Sequence, residues 1–155
     1  AILVLVLIIL TGVVFDAIGI AAAAADEAPF NAMAAANVAG GRQALWIARN
    51  AGAVTSFCND VVGDIAGTLS GALGASIVYR LLVLQPGLDE ALLSILVVSL
   101  VSAATVGGKA AVKSWALEQS TSIVLTAGRV LRLVERTGLI SLQVRKNNKP
   151  GRSRN

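Results

Sequence analysis

Three carboxylates, Asp16, Asp60 and Asp64, stand inside stretches that are otherwise apolar enough for a membrane. A charged group at bilayer depth costs at least ~2.5–3.5 kcal/mol, so chains keep such groups facing the protein interior, paired or bound, and often because they work. Asp60 and Asp64 are four residues apart and share one face of an α-helix. Asn59 adds an amide oxygen beside them, and Asp16 lies in the first apolar segment at a depth the second can reach. Carboxylate and amide oxygens are the ligands a hard dication such as Mg2+ takes. Two like charges at this spacing raise each other's pKa unless a cation, a proton or a lysine relieves them. Lys109 and Lys113 form a second pair four residues apart, near enough to a membrane boundary to fold back toward the acids. Asp16, Asn59, Asp60 and Asp64 are therefore candidate metal ligands, and Lys109 and Lys113 are candidate internal counter-ions. The residues alone support a cation site and a buried salt-bridge network about equally. A proton relay is less favoured, because no His or further Glu extends the series.

What else the chain contains narrows the chemistry. It has no histidine and one cysteine, Cys58. That removes imidazole metal sites, Ser-His-Asp triads and an intrachain disulfide, and leaves hard, oxygen-bound cations open. No nucleophile–base pair or metal-hydrolase spacing appears, so an enzyme is not expected. Charged residues make up 14% of the 155 positions, against roughly 25% in soluble domains. The composition is that of an integral membrane protein.

The elements that must position these groups follow from the apolar pattern. The expected fold is all-α, with three transmembrane helices and amphipathic juxtamembrane helices in one membrane domain, residues 1–140. The spans are read at about 1–25, 52–84 and 88–106, and surface helices at 29–50 and 109–137. Residues 1–25 are too long an apolar run, without a basic leading region, for a cleaved signal peptide. The run opens at once on Ala1, so further residues are expected upstream. Asp26 suits a helix N-cap and Pro29 a first turn. Gly40-Gly41 should break the first surface helix, and Trp46 suits an interfacial depth. Gly63, Gly67 and Gly71 recur every four residues, a spacing that lets a neighbouring helix approach closely. Gln85-Pro86-Gly87 reads as a tight turn, and Gly107-Gly108 as a loosening of the backbone before the second surface helix.

Charge placement sets the expected orientation. Arg42, Arg49 and every basic residue from Lys109 onward fall on one side of a three-span arrangement, and only Arg80 lies near the other. The positive-inside rule then makes the C-terminus cytoplasmic and the N-terminus external, in a multi-pass protein of the cell membrane. Residues 141–155 form a basic cytoplasmic tail suited to anionic lipid. Nucleic acid is not an expected partner, since no interleaved aromatics accompany the charge.

The order of these pieces resembles the membrane domain of the CorC/CNNM magnesium–cobalt transporter family. That domain has three spans and a juxtamembrane helix between the first two. Phe15-Asp16-Ala17-Ile18-Gly19-Ile20-Ala21-Ala22 stands where the family shows a pattern like F-S-G-S-E-T-A-L. Cys58-Asn59-Asp60-Val61-Val62-Gly63-Asp64 falls at a pattern like G-N-N-x-V-N, and Gly108-Lys109-Ala110-Ala111-Val112-Lys113 is similar in frame to G-E-x-x-P-K. The resemblance covers most of the chain and implies Mg2+ held around Asp16, Asn59 and the Gly107–Lys109 region, in a homodimer or as a subunit of a membrane complex. The departures are specific. The serine position is Asp16, the acidic position of the first motif is Gly19, the glutamate of the third is Lys109, and its proline is Val112. No counterpart of the nucleotide-binding CBS modules usual in the family is expected within these 155 residues. An ammonium in place of a carboxylate implies a degenerate relative, in which an internal salt bridge replaces the ion. The two functional expectations are therefore binding or transport of a divalent cation, and a non-transporting structural or accessory subunit.

Overall fold

In the computed structural model, which describes residues 1–136, seven α-helices and one π-helical segment follow one another without a strand among the described residues. The helices are α1 (Ile2–Ala24), α2 (Glu27–Ala35), α3 (Gly41–Arg49), α4 (Ala51–Ser56), α5 (Asp64–Leu84), α6 (Glu90–Glu118) and α7 (Ser120–Arg136). The π segment, Phe57–Gly63, joins α4 to α5 so that Ala51–Leu84 runs as one helical rod. The basic tail expected at 141–155 lies outside the described residues.

Three elements are long and apolar enough to cross a membrane: α1, the Ala51–Leu84 rod and α6. At about 1.5 Å per residue, the 23 residues of α1 reach roughly 34 Å, enough for a hydrocarbon core about 30 Å thick. Large apolar side chains cover their outer surfaces, among them Leu3, Leu7, Leu10, Leu69, Tyr79, Val83, Leu96 and Leu100. Water would penalise this surface at about 25 cal/mol per Å², and lipid would not.

The main cluster of buried apolar residues sits at one end, with Leu5, Val13, Ala66 and Val78 buried along the long helices. Ala21 and Ala22 of α1 meet Phe30 of α2, Ala44, Ile47 and Ala48 of α3, and Val124 of α7. Small residues on α1 let the two amphipathic helices lie close across its C-terminal end. Arg49 fastens α3 to α2 through Glu27 at 3.0 Å and Asn31 at 3.1 Å. At the centre of this cap Gly128 of α7 crosses α3 so closely that a Cβ would stand 2.6 Å from the Gly40 carbonyl and 2.7 Å from the Ala44 nitrogen. Gly40 itself has φ +83°, the left-handed region that favours glycine.

The first surface element is a pair of short helices separated by residues 36–40, and α3 starts at the Gly40-Gly41 break. One helix boundary differs from that read in the sequence. The helix expected to begin at 109 instead continues α6 without a break, and the chain turns at Gln119. Gly108 does not loosen the backbone. It is a contact point, where a Cβ would lie 2.9 Å from Val13 Cγ2 of α1. The intrinsic cost of glycine inside a helix, about 1 kcal/mol, is offset by the close crossing it permits. At the start of α6, Asp89 Oδ1 accepts the Leu92 N–H at 3.0 Å and caps the helix.

Gly63, Gly67 and Gly71 have different surroundings. Gly63 is buried beside Lys109, whereas nothing lies within 4 Å of a Cβ built at Gly67 or Gly71. Gly67, Gly71 and Gly74 instead line a groove of about 190 Å³ against Val98, Val101, Ser102, Thr105 and Val106 of α6. In the monomer, Gly67→Ala and Gly71→Ala should each be neutral or stabilising by about 0.5–1 kcal/mol through helix propensity. Thermal denaturation of purified protein measures this. A clear loss of stability, together with a shift to a smaller assembly on size exclusion, would show that another helix fills the groove.

Candidate functional site

Asp16 and Lys109 meet inside the bundle. Asp16 sits on the face of α1 that also carries Gly12 and Gly19, one turn before it and one turn after it. These two glycines bring α1 against the Ala51–Leu84 rod: a Cβ at Gly12 would lie 3.0 Å from Ala66 Cβ, and one at Gly19 would lie 3.2 Å from Cys58 Cβ. On the other side, the Gly108–Val13 crossing holds α6 close and places Lys109 next to Asp16. The Lys109 Nζ is 3.8 Å from Asp16 Oδ1, with the carboxylate side chain 14% exposed and the lysine 30%. This is an ion pair by charge and distance, longer than the 2.7–2.9 Å typical of a charge-assisted hydrogen bond. A Cβ at Gly63 would stand 3.3 Å from the same ammonium. The lysine head therefore occupies a space bounded by α1, α6 and the end of the π segment, and glycine at 63 leaves room for it.

The π segment decides which groups face this space. Its i→i+5 hydrogen bonding changes the helical repeat, and such segments frequently mark functional positions. Cys58 and Gly63, five residues apart, are its two buried residues, while Asp60 and Asp64 are exposed. Their shared face, read from an α repeat of four, does not point at Asp16. Lys113 is also exposed, one turn beyond Lys109 on α6. Among the described residues, no group of three His, Cys, Asp or Glu side chains gathers in a way that could hold a metal ion. Of the four candidate ligands, Asp16 is partly buried against Lys109 and Asn59 has its side-chain oxygen buried against Gly19, while Asp60 and Asp64 are exposed.

Asn59 is the second polar feature of the interior. Its Oδ1 is buried and accepts no hydrogen bond, and it lies 2.7 Å from where a Gly19 Cβ would be. Nearby, Thr55 Oγ1 donates to the Gly19 carbonyl at 2.8 Å and ties the start of the rod to α1. An acidic side chain at position 19 would collide with Asn59, so the amide has taken the volume such a group needs. An unsatisfied buried oxygen costs about 1–3 kcal/mol. Ser70 Oγ is likewise buried without a partner, farther along α5.

Chemically, the arrangement offers one carboxylate, one amide oxygen and one ammonium. The carboxylate is already neutralised from within the chain. Sequence reasoning located Asp16, Asn59 and Lys109; it missed the role of Gly63, whose lack of a side chain accommodates the ammonium, and the π turn that turns Asp60 and Asp64 away. Compared with known proteins, the chain matches no family model, no curated protein and no solved structure.

Proposed function

We propose that this chain is a membrane-embedded scaffold similar to the CorC/CNNM transport domain, in which Lys109 takes the place of a divalent cation, and that it serves as a non-transporting structural or accessory subunit. The observation that carries this reading is the Lys109 ammonium 3.8 Å from Asp16, in the space between α1, α6 and the π segment. A lysine there supplies the positive charge that Asp16 requires at membrane depth, and it cannot leave. The basic residues of α3 and α7 sit at the end of the bundle where α1 stops, which supports a cytoplasmic location for that end and an external N-terminus by the positive-inside rule.

A second reading, Mg2+ binding at Asp16 and Asn59, is favoured by the unpartnered Asn59 oxygen. These are oxygen ligands of the type Mg2+ accepts, and Mg2+ commonly keeps several waters. It requires the ammonium to move aside, because two cations at one carboxylate repel each other.

Thermal unfolding of purified protein in chelator and in Mg2+ separates the two. The first reading expects no change in melting temperature. A Mg2+-dependent rise that disappears in Asp16→Asn would establish the second instead.

A further inference from the structure

A cleft of about 240 Å³ opens between α3 and α7, lined by Asn37, Val38, Gly40, Arg42, Gln43 and Arg132. It is distant in role from the Asp16–Lys109 pair, and nothing in the ion-pair reading depends on it. Two guanidinium groups edge it. Neither Arg42 nor Arg132 has a carboxylate partner within 4 Å among the described residues; Arg42 Nη2 donates only to Asn37 Oδ1, at 3.1 Å. Glu135 accepts from Gln43 Nε2, of a residue that lines the cleft, at 2.7 Å and so is engaged in joining α7 to α3. Arg129 packs its backbone against Gly40, and Arg136 ends α7. Arg42 and Arg132, both exposed, thus edge the cleft, with Arg129 and Arg136 on the same helix as Arg132.

The local fold explains why the charge is left unneutralised. Gly40 precedes the first turn of α3 and has no side chain to cap it. Its left-handed backbone allows the α7 crossing at Arg129, and that crossing brings Arg132, one turn later, over the same first turn. The positive end of the α3 dipole then adds to the two guanidiniums in one concave place. Arginine presents paired N–H donors that match the oxygens of a phosphate. At about 30 Å³ per water, the cleft has room for a tetrahedral oxyanion and its hydration.

We propose that this cleft binds a phosphate group, from an anionic phospholipid headgroup or as free inorganic phosphate. Its position suits the first source. Ala44, Ile47 and Ala48 of α3 and Val124 of α7 pack on Ala21 and Ala22, at the end of a helix that can cross a membrane, so the cleft lies where headgroups would be.

The test uses the full chain in nanodiscs of phosphatidylcholine. Phosphatidic acid in the disc, or inorganic phosphate added at constant ionic strength, is expected to raise the melting temperature. Response to the lipid alone identifies a headgroup site; response to free phosphate identifies a soluble ligand. In either case Arg42→Gln and Arg132→Gln should each weaken the apparent affinity about tenfold, the loss of a hydrogen bond to a charged group. Arg42→Lys/Arg132→Lys should retain part of it, and Arg80→Gln should leave it unchanged. The proposal is overturned if neither phosphate source shifts the unfolding, or if the Arg42→Gln/Arg132→Gln protein responds as the parent does.

Discussion

A Lys109→Glu variant is expected to melt well below the parent in chelator and to regain stability when Mg2+ is added. The substitution sets a second carboxylate close to Asp16, in the space where the ammonium now lies. Breaking a fully buried ion pair costs about 3–5 kcal/mol. The pair here is partly open to its surroundings, so a loss of about 2–4 kcal/mol is expected, with like-charge repulsion included. Two facing carboxylates and the free Asn59 oxygen then make a hard-cation site. Differential scanning fluorimetry with and without Mg2+ reads both halves of the effect. Lys109→Met is the companion: it should be destabilising and indifferent to Mg2+, because Asp16 loses its partner without a second ligand being supplied. If Lys109→Glu is as stable as the parent in chelator, the Asp16–Lys109 pair does not hold the bundle and the proposed role of the lysine falls.

Gly128→Ala should detach α7 from α3 while leaving the three long helices intact. A methyl group there meets backbone, the Gly40 carbonyl at 2.6 Å and the Ala44 nitrogen at 2.7 Å, and neither can turn away as a side-chain tip would. Overpacking of this kind costs typically about 1–3 kcal/mol, and the rigid contact places this position at or above the upper end. The loss is local because Val124 and the α3 residues form most of the cap on α1. Hydrogen–deuterium exchange is expected to accelerate across α7 and α3, with protection kept in α1 and α5. Equal acceleration throughout would mean that the cap and the spans unfold as one unit. By contrast, Gly52→Ala, where nothing lies within 4 Å, should leave exchange unaltered.

The groove between α5 and α6 bears on how the long helices meet other chains. Its glycine wall is open in a single copy, and α6 exposes most of its apolar surface. Lipid alone can cover such a surface, which is why the alanine substitutions at Gly67 and Gly71 discriminate: they are harmless against lipid and harmful against a packed helix.

Much of this architecture is written in local sequence. Apolar runs of sufficient length point to the three long helices, since a segment that crosses lipid must satisfy its backbone hydrogen bonds internally. Asp89 before an apolar run points to a helix start, and the amphipathic patterns read at 29–50 and 109–137 point to surface helices, though the structure sets different bounds, with amphipathic helices at 41–49 and 120–136. That a buried carboxylate needs a counter-charge is equally local physics, and it singled out Asp16, Asp60 and Asp64 with Lys109 and Lys113, without pairing them. The side chains that share a face could not be read this way past residue 56. An α repeat groups Asp60 with Asp64, whereas the π turn buries Cys58 with Gly63 and leaves both acids outside. No residue type announces a π turn, and this one lies where the rod packs against α1. The same holds for the glycines. Gly108 is a loosening signal by propensity and a contact by tertiary structure, and only the crossing with Val13 decides between them. The cleft between Arg42 and Arg132 depends on residues ninety positions apart, joined where Gly128 and Gly40 let two helices touch. Sequence by itself determined that this protein carries charge in apolar surroundings and must neutralise it. Tertiary structure decided which charge does so, because a 3.8 Å approach across two helices is a property of their packing and of no single segment.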